Sequence, residues 1–90
     1  MPIREVQIVN PQGLHMRPAA EFVKTANRYL CTVTVRVGDK EADGKSVMDL
    51  LELAGDALCG STLRIEADGQ DAEACLDALA EVAKLRYDEP

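Results

Sequence analysis

One histidine stands in a segment whose residue types and spacing suit phosphoryl transfer. His15 is the only imidazole among 90 residues, and it follows a glycine within residues 13–20, GLHMRPAA. A helix is predicted to begin directly after it, and a helix N-terminus favours an anion through its free N–H groups and its dipole. The dipole also opposes a second proton on the imidazole, so His15 is expected to be a neutral nucleophile. Arg17 carries a planar guanidinium that suits phosphate oxygens. The segment therefore predicts a histidine that accepts a phosphoryl group and passes it on.

Hydrophobic periodicity predicts four strands and three helices around this segment. Alternating residues indicate strands at 3–9, 31–37, 40–43 and 61–67, and Gly38-Asp39 suits a type II′ hairpin turn. Helical spacing indicates helices at 16–28, from Ser46 onward, and at 70–85. The core face of the first helix is assigned to Ala19, Phe22, Val23, Ala26 and Leu30, and that of the second to Leu50, Leu53, Ala54, Ala57 and Leu58.

The order of these elements is βαββαβα, in one domain that spans residues 1–90. Each strong strand has one apolar and one polar face, which is typical of an antiparallel sheet covered on one side only. We therefore predict an α+β fold: an open-faced sandwich with a four-stranded antiparallel sheet and all helices on one face. Ser46 is expected to cap the second helix, with Asp49 completing a shortened capping box.

Composition argues against several classes of function. A formal net charge of −6 disfavours binding to nucleic acid or to an anionic membrane. No apolar run approaches the ~20 residues of a membrane span, and the N-terminus lacks a signal-peptide core, so a cytoplasmic protein is expected. Cys31, Cys59 and Cys75 fall in apolar patterns and are interpreted as buried, reduced thiols. A metal site formed by them with His15 is the alternative, but their spacing is not that of ligands, so no metal or cofactor is predicted.

Residues 13–20 closely resemble the active-site segment of the HPr family, the histidine-containing phosphocarriers of the bacterial sugar phosphotransferase system. Residues 45–48, KSVM, resemble the segment that carries the family's regulatory serine, and the order of elements matches from about residue 3 to residue 86. The resemblance implies that Enzyme I, charged by phosphoenolpyruvate, phosphorylates Nδ1 of His15. It implies that Arg17 orients the phosphate and that an EIIA domain then takes the group. It also implies a monomeric carrier that is not an enzyme, and an HPr kinase/phosphorylase that acts on Ser46 in organisms that have one.

The same resemblance implies a docking surface beside His15. In the family an exposed apolar patch binds partners. Here the patch would include Ala20, Val47, Met48 and Leu51, and its basic rim would be Arg17, Lys24, Arg28 and Lys45. Taken without the family, the extra apolar side chains are equally explained by edge packing, and the lysines by solvated surface charge.

Three residues depart from the family pattern and bear on which partners the chain serves. Met16 stands where alanine or threonine is common, and Asn27 and Asp49 stand where several members have lysine.

Three other functions compete with this interpretation. A paralogue would keep the fold and the histidine but serve a nitrogen-related or purely regulatory phosphorelay. A small phosphotransferase or phosphatase would use His15 as its nucleophile, although no motif positions a second acid or base. The order βαββαβ is also that of RNA-recognition modules, which stack bases on sheet aromatics. The outward residues predicted here are instead Thr32, Thr34, Arg36, Thr62, Arg64 and Glu66.

Overall fold

The computed structural model describes residues 2–7, 16–53 and 62–84. Within these ranges the chain forms the expected succession of strands and helices: β1 (Ile3–Gln7), α1 (Met16–Ala26), β2 (Thr32–Val37), β3 (Lys40–Asp43), α2 (Val47–Glu52), β4 (Thr62–Asp68) and α3 (Ala72–Lys84). The predicted end of the first strand, the predicted end of the last helix, and the predicted core residues Ala54, Ala57 and Leu58 lie outside the described residues.

The four strands form one sheet in the order β1-β4-β2-β3, and each neighbouring pair is antiparallel. The register places apolar residues opposite one another across the sheet: Val6 faces Leu63, and Val35 faces both Ile65 and Ala42. All five are buried. Buried apolar residues from all four strands therefore line one face of the sheet, as strand alternation predicted.

The helices cover this apolar face. α3 packs on β1 and β4, α2 packs on β3, and α1 contacts both α2 and α3. The buried apolar residues of the helices and of the α2 C-cap, Leu53, are Ala19, Phe22, Ala26, Leu50, Leu53, Ala72, Cys75, Leu76, Leu79 and Ala80. Because burying one leucine or phenylalanine side chain contributes about 1.5–3 kcal/mol, this layer supplies the main stabilisation of the fold. The predicted open-faced sandwich is confirmed. None of the helices within the described ranges is long and apolar enough to cross a membrane.

The other face of the sheet is polar and carries ion pairs. Arg36 approaches Glu41 at 2.7 Å and Glu66 at 3.1 Å, and Arg64 approaches Glu66 at 3.4 Å. None of the outward residues in the four described strands is aromatic. This face therefore lacks the stacking platform that an RNA-recognition module uses.

The hairpin between β2 and β3 turns through Gly38 and Asp39, as predicted. Val37 pairs with Lys40, so the loop has two residues. Gly38 has a φ of +59°, whereas Asp39 has no positive φ. This combination belongs to a type II′ turn, which accepts glycine at its first central position because a side chain there would be strained. β3 lies at one edge of the sheet, as the weak strand pattern of its sequence predicted.

The start of β2 is held by the segment that precedes α3. The carboxylate of Asp71 accepts the backbone N–H groups of Leu30 at 2.8 Å and Cys31 at 3.0 Å. Gly69, which has a φ of +149°, packs against the backbone of Cys31, and a Cβ on Gly69 would lie 2.8 Å from the Cα of Cys31. Cys31 is consequently buried, whereas Leu30 is 92% exposed.

The assignment of Leu30 to the core face of the first helix is therefore wrong. α1 ends at Ala26, so the helical periodicity used for the assignment does not reach Leu30. The predicted helix end at Arg28 is wrong for the same reason, because Arg28 lies in the turn after α1. The last helix likewise begins at Ala72 and not at Gln70.

We expect the Asp71→Asn variant to have a lower melting temperature at neutral pH. The Leu30 N–H, followed by donors at Cys31, lowers the pKa of the Asp71 carboxyl below 3.8, although desolvation acts in the opposite direction. Because the pKa is lower in the folded state, the carboxylate's contribution is present above pH 3.8 and is lost as the pH falls through the folded-state pKa.

The difference in melting temperature between wild type and Asp71→Asn should therefore become smaller as the pH is lowered. Thermal unfolding followed by circular dichroism at several pH values measures it. The exposed turn variant Asp39→Asn serves as the control for loss of a carboxylate. Equal melting temperatures of wild type and Asp71→Asn at neutral pH would contradict the role given to Asp71.

Candidate functional site

The predicted nucleophile lies immediately before a helix. His15 itself is outside the described residues, and α1 begins at the next residue, Met16. The first turn of α1 contains no acidic residue, and Pro18 falls within it. Proline is tolerated there because the first N–H groups of a helix have no partner inside the helix. A helix start without negative side chains is suited to an anion, which is what a phosphorylated His15 would place beside it.

The first helix also carries the residue expected to orient the phosphate. Arg17 belongs to the first turn of α1, while its side chain lies outside what the structure describes. Farther along the same helix, Ala20 is half-buried, Lys24 is exposed, and Arg28 is exposed in the following turn. The structure thus places Lys24 and Arg28 at the surface, as the predicted basic stripe requires.

Ser46 caps α2, as its sequence context predicted. The Ser46 backbone is extended, and its Oγ accepts the N–H of Asp49 at 3.2 Å. The second half of the predicted capping box is absent, because the Ser46 N–H donates to the carbonyl of Asp43 at 3.1 Å. The Asp49 carboxylate instead accepts the N–H of Asp43 at 3.2 Å. Aspartate has a shorter side chain than the glutamate that usually closes such a box, and here it ties α2 to the end of β3.

The predicted apolar patch divides into one exposed side chain and two that are partly covered. Met48 is 71% exposed, whereas Val47 and Leu51 are half-buried and Leu51 packs against the core. Because α1 and α2 are in contact, the helix that follows His15 lies beside the helix that carries Met48. An exposed methionine is a flexible apolar anchor that adapts to different partner surfaces.

Lys45 makes a contact that the sequence pattern does not reveal. Its Nζ donates to the carbonyl oxygen of Tyr29 at 2.7 Å, just beyond the C-terminal end of α1. Asn27 lies close by, with its Nδ2 3.0 Å from the carbonyl of Val23 and 3.5 Å from that of Lys45. A cation is favoured near a helix C-terminus. Lys45, predicted as part of the basic rim, thus holds α1 and the start of α2 together.

Two of the three cysteines belong to the core. Cys31 and Cys75 are free thiols, 2% and 0% exposed. Burial, together with the neighbouring Cys31 thiol, raises the pKa of Cys75 to about 12, so it is a thiol at neutral pH and a poor nucleophile. Among the described residues no group of histidine, cysteine, aspartate and glutamate side chains is arranged to hold a metal. Cys59 and His15 lie outside those residues, so the alternative metal site is not tested.

The sequence matches one family over nearly all of its length. The family described as the PTS HPr component phosphorylation site matches residues 3–84. The phosphocarrier protein HPr of Pseudomonas aeruginosa is 41% identical over 90 residues, which cover 99% of this chain and 98% of the relative. The phosphocarrier protein NPr of Shewanella violacea is 36% identical over 86 residues, covering 96% of this chain and 92% of that protein.

Solved structures share the fold. The crystal structure of HPr-C-His from Thermoanaerobacter tengcongensis superposes with a TM-score of 0.85 at 32% identity, covering 93% of this chain and 92% of that one. An HPr dimer from the same organism superposes with a TM-score of 0.69 at 34% identity, covering 86% of each chain. The open-faced sandwich described above is thus the architecture of these phosphocarriers.

Proposed function

Because this chain belongs to the HPr family, the phosphocarriers of the phosphotransferase system, we propose that it carries a phosphoryl group on His15 between Enzyme I and an EIIA domain of a sugar system. Enzyme I would take the group from phosphoenolpyruvate. The observation that supports the proposal most directly is the position of His15, one residue before α1, in a chain matched by the family from residue 3 to residue 84.

The transfer needs few groups from the carrier. The Nδ1 lone pair of neutral His15 attacks phosphorus, a nitrogen–phosphorus bond forms, and the bond from phosphorus to Enzyme I breaks with its electron pair returning to the donor. The N-terminus of α1 and the Arg17 guanidinium would stabilise the charge on the phosphoryl oxygens. In the second transfer a nucleophile of EIIA attacks phosphorus, and the nitrogen–phosphorus bond breaks with its electron pair returning to Nδ1 of His15. A carrier of this kind turns over only with its partners, and we assign it to the cytoplasm as a monomer.

Docking of both partners is assigned to the surface where α1 and α2 meet. Met48 supplies the exposed apolar anchor, with Val47 and Leu51 beside it on α2. Ala20 and the exposed Lys24 border it on α1, and Lys45 contributes by holding the two helices in place. The contact between α2 and the helix that follows His15 supports the use of this one surface in turn by donor and acceptor.

The experiment is phosphorylation by purified Enzyme I with labelled phosphoenolpyruvate. We expect one phosphoryl group per chain, labile in acid and stable in base as a phosphoramidate is. Acid-stable label would instead indicate a hydroxyl acceptor, and absence of label with an active Enzyme I would contradict the proposal.

Ser46 is proposed to combine capping with regulation, and two variants separate the roles. Ser46→Ala removes the acceptor for the Asp49 N–H, and we expect it to cost about 1 kcal/mol in urea unfolding with nearly normal phosphorylation of His15. Ser46→Asp keeps a capping side chain but adds charge near Asp43 and Asp49, so phosphorylation should slow and recover partly in salt. Quench-flow measurements of the rate of His15 phosphorylation at low and high salt test this prediction. Equal rates for all three proteins would leave Ser46 with the capping role alone.

A paralogous phosphorelay is the second candidate. It is favoured by the similarity to the NPr of Shewanella violacea, although that identity, 36%, is below the 41% found for an HPr. Parallel phosphorylation by the sugar-system Enzyme I and by a paralogous donor distinguishes the two. A higher kcat/KM with the sugar-system enzyme supports the first assignment, and the reverse order supports the second.

A further inference from the structure

The charge of the surface changes sign between α1 and α2. On the α1 side, Lys24 and Arg28 are exposed together with one acidic residue, Glu21. The segment 46–53, which contains α2, carries two acidic residues, Asp49 and Glu52, and no basic residue. Because α2 contacts α1, Met48 stands on an acidic helix that packs beside the helix carrying the exposed Lys24.

Glu52 shares the exposed side of α2 with the apolar anchor. Met48 and Glu52 are four residues apart in the helix, which places their side chains next to each other on one face. Glu52 is exposed and Met48 is 71% exposed. A partner that covers Met48 will therefore also cover or border the Glu52 carboxylate.

Lys45, which directly precedes this segment in the sequence, binds a backbone group just beyond the end of α1. The Nζ of Lys45 is 2.7 Å from the Tyr29 carbonyl oxygen, at the α1 end, and the residue is half-buried. α2 also packs on β3, which carries Glu41 and Asp43 together with Lys40. A surface depression of about 420 Å³ there is lined by Thr32, Val33, Thr34, Glu41, Ala42, Asp43 and Asp49. Three of these seven side chains are carboxylates, but Glu41 pairs with Arg36 at 2.7 Å and Asp49 accepts the N–H of Asp43 at 3.2 Å. Glu52, which is exposed, is therefore the acidic residue of α2 that is more accessible to a partner.

We propose that Glu52 selects partner proteins that present a lysine or arginine beside the apolar pocket for Met48. This selection rests on the proposed docking function of the α1–α2 surface. A partner that is acidic throughout would be attracted to Lys24 and Arg28 but repelled at Glu52. The complementary partner surface is acidic where it meets α1 and basic where it meets α2, so the order of charges also fixes the orientation of docking.

Steady-state transfer from phosphorylated Enzyme I to His15 tests this charge selection. We expect Glu52→Lys to lower kcat/KM roughly tenfold at low ionic strength, and we expect the difference to shrink to about twofold at high salt. Glu52→Gln, which removes the charge without reversing it, should cause a smaller loss of about twofold to threefold. Glu5→Lys on the open face of the sheet is the matched control, since it changes the net charge equally. It should retain the wild-type rate.

Met48→Asp distinguishes failure of the charge selection from failure of the docking surface. We expect it to lower kcat/KM at least tenfold with little recovery in salt, because it removes an apolar anchor. If Met48→Asp is slow while Glu52→Lys is unchanged or faster, the charge selection is wrong and the docking surface stands.

If Glu5→Lys is as slow as Glu52→Lys, the loss of rate belongs to net charge and the charge selection is again wrong. If Met48→Asp and Glu52→Lys both transfer at the wild-type rate, the docking surface and the charge selection both fail. If Enzyme I does not phosphorylate the wild type, the proposed function fails first.

Discussion

The His15→Ala variant is expected to accept no phosphoryl group from Enzyme I. His15 is the only histidine of the chain, so no second imidazole is available to replace it. The variant should fold normally, because α1 is held on α2 and α3 by its own buried residues, among them Phe22 and Ala26. Transfer should therefore fall from the wild-type rate to below detection while the circular dichroism spectrum and the melting temperature are unchanged.

The measurement is label incorporation with Enzyme I and labelled phosphoenolpyruvate in excess over the carrier. An equal amount of wild type in the same assay controls for donor activity. Label that persists on folded His15→Ala at the wild-type stoichiometry would contradict the assignment of His15. Chemical lability would then indicate the acceptor, since an acyl phosphate is lost in base and a phosphoserine survives acid.

The Arg17→Lys variant is expected to slow transfer by about tenfold to a hundredfold without loss of stability. Lysine keeps the positive charge but lacks the planar fork that binds two phosphoryl oxygens at once, so positioning is lost while charge is kept. The effect should fall mainly on kcat, because the guanidinium is proposed to act on the phosphoryl group during transfer.

Arg28→Lys is the matched control, since Arg28 is exposed in the turn after α1, more than two helical turns from Arg17. It should transfer at nearly the wild-type rate. Single-turnover transfer from phosphorylated Enzyme I, with urea unfolding of each variant, provides the comparison. A wild-type transfer rate for Arg17→Lys would show that Arg17 is only a solvated charge. An equal decrease in rate for Arg28→Lys would show that the decrease arises from docking and not from orientation of the phosphate.

Features that depend on neighbours in sequence were predictable. Alternation in β2 gave the buried Val33, Val35 and Val37, and all three are in the core. The cap at Ser46 and the turn at Gly38 are set by residues within one turn of the chain, and both formed as expected. The two motifs that carry the family resemblance are also short continuous segments.

Features that depend on residues distant in the chain were not predictable. Leu30 lies beyond the end of α1 with its side chain exposed, and its N–H donates to Asp71, 41 residues away. The role of Lys45 follows from Tyr29, 16 residues away, whose carbonyl it reaches only once α1 and α2 are packed. Asp49 fits a capping pattern in the sequence, but the Asp43 N–H is the donor that lies in reach. In each case the tertiary fold brings a backbone N–H or carbonyl group within reach of a side chain that the local sequence pattern assigns to another role.

The most direct test of the central claim is a chase of the phosphorylated protein. Wild type labelled through Enzyme I is separated from the enzyme and from phosphoenolpyruvate, then mixed with an unphosphorylated EIIA domain of a sugar system. We predict that the label leaves the peptide containing His15 and appears on EIIA in a single turnover, with little release of inorganic phosphate. Label that stays on the protein, or that is released only as inorganic phosphate while EIIA remains unlabelled, would contradict the account of this chain as a carrier between Enzyme I and EIIA.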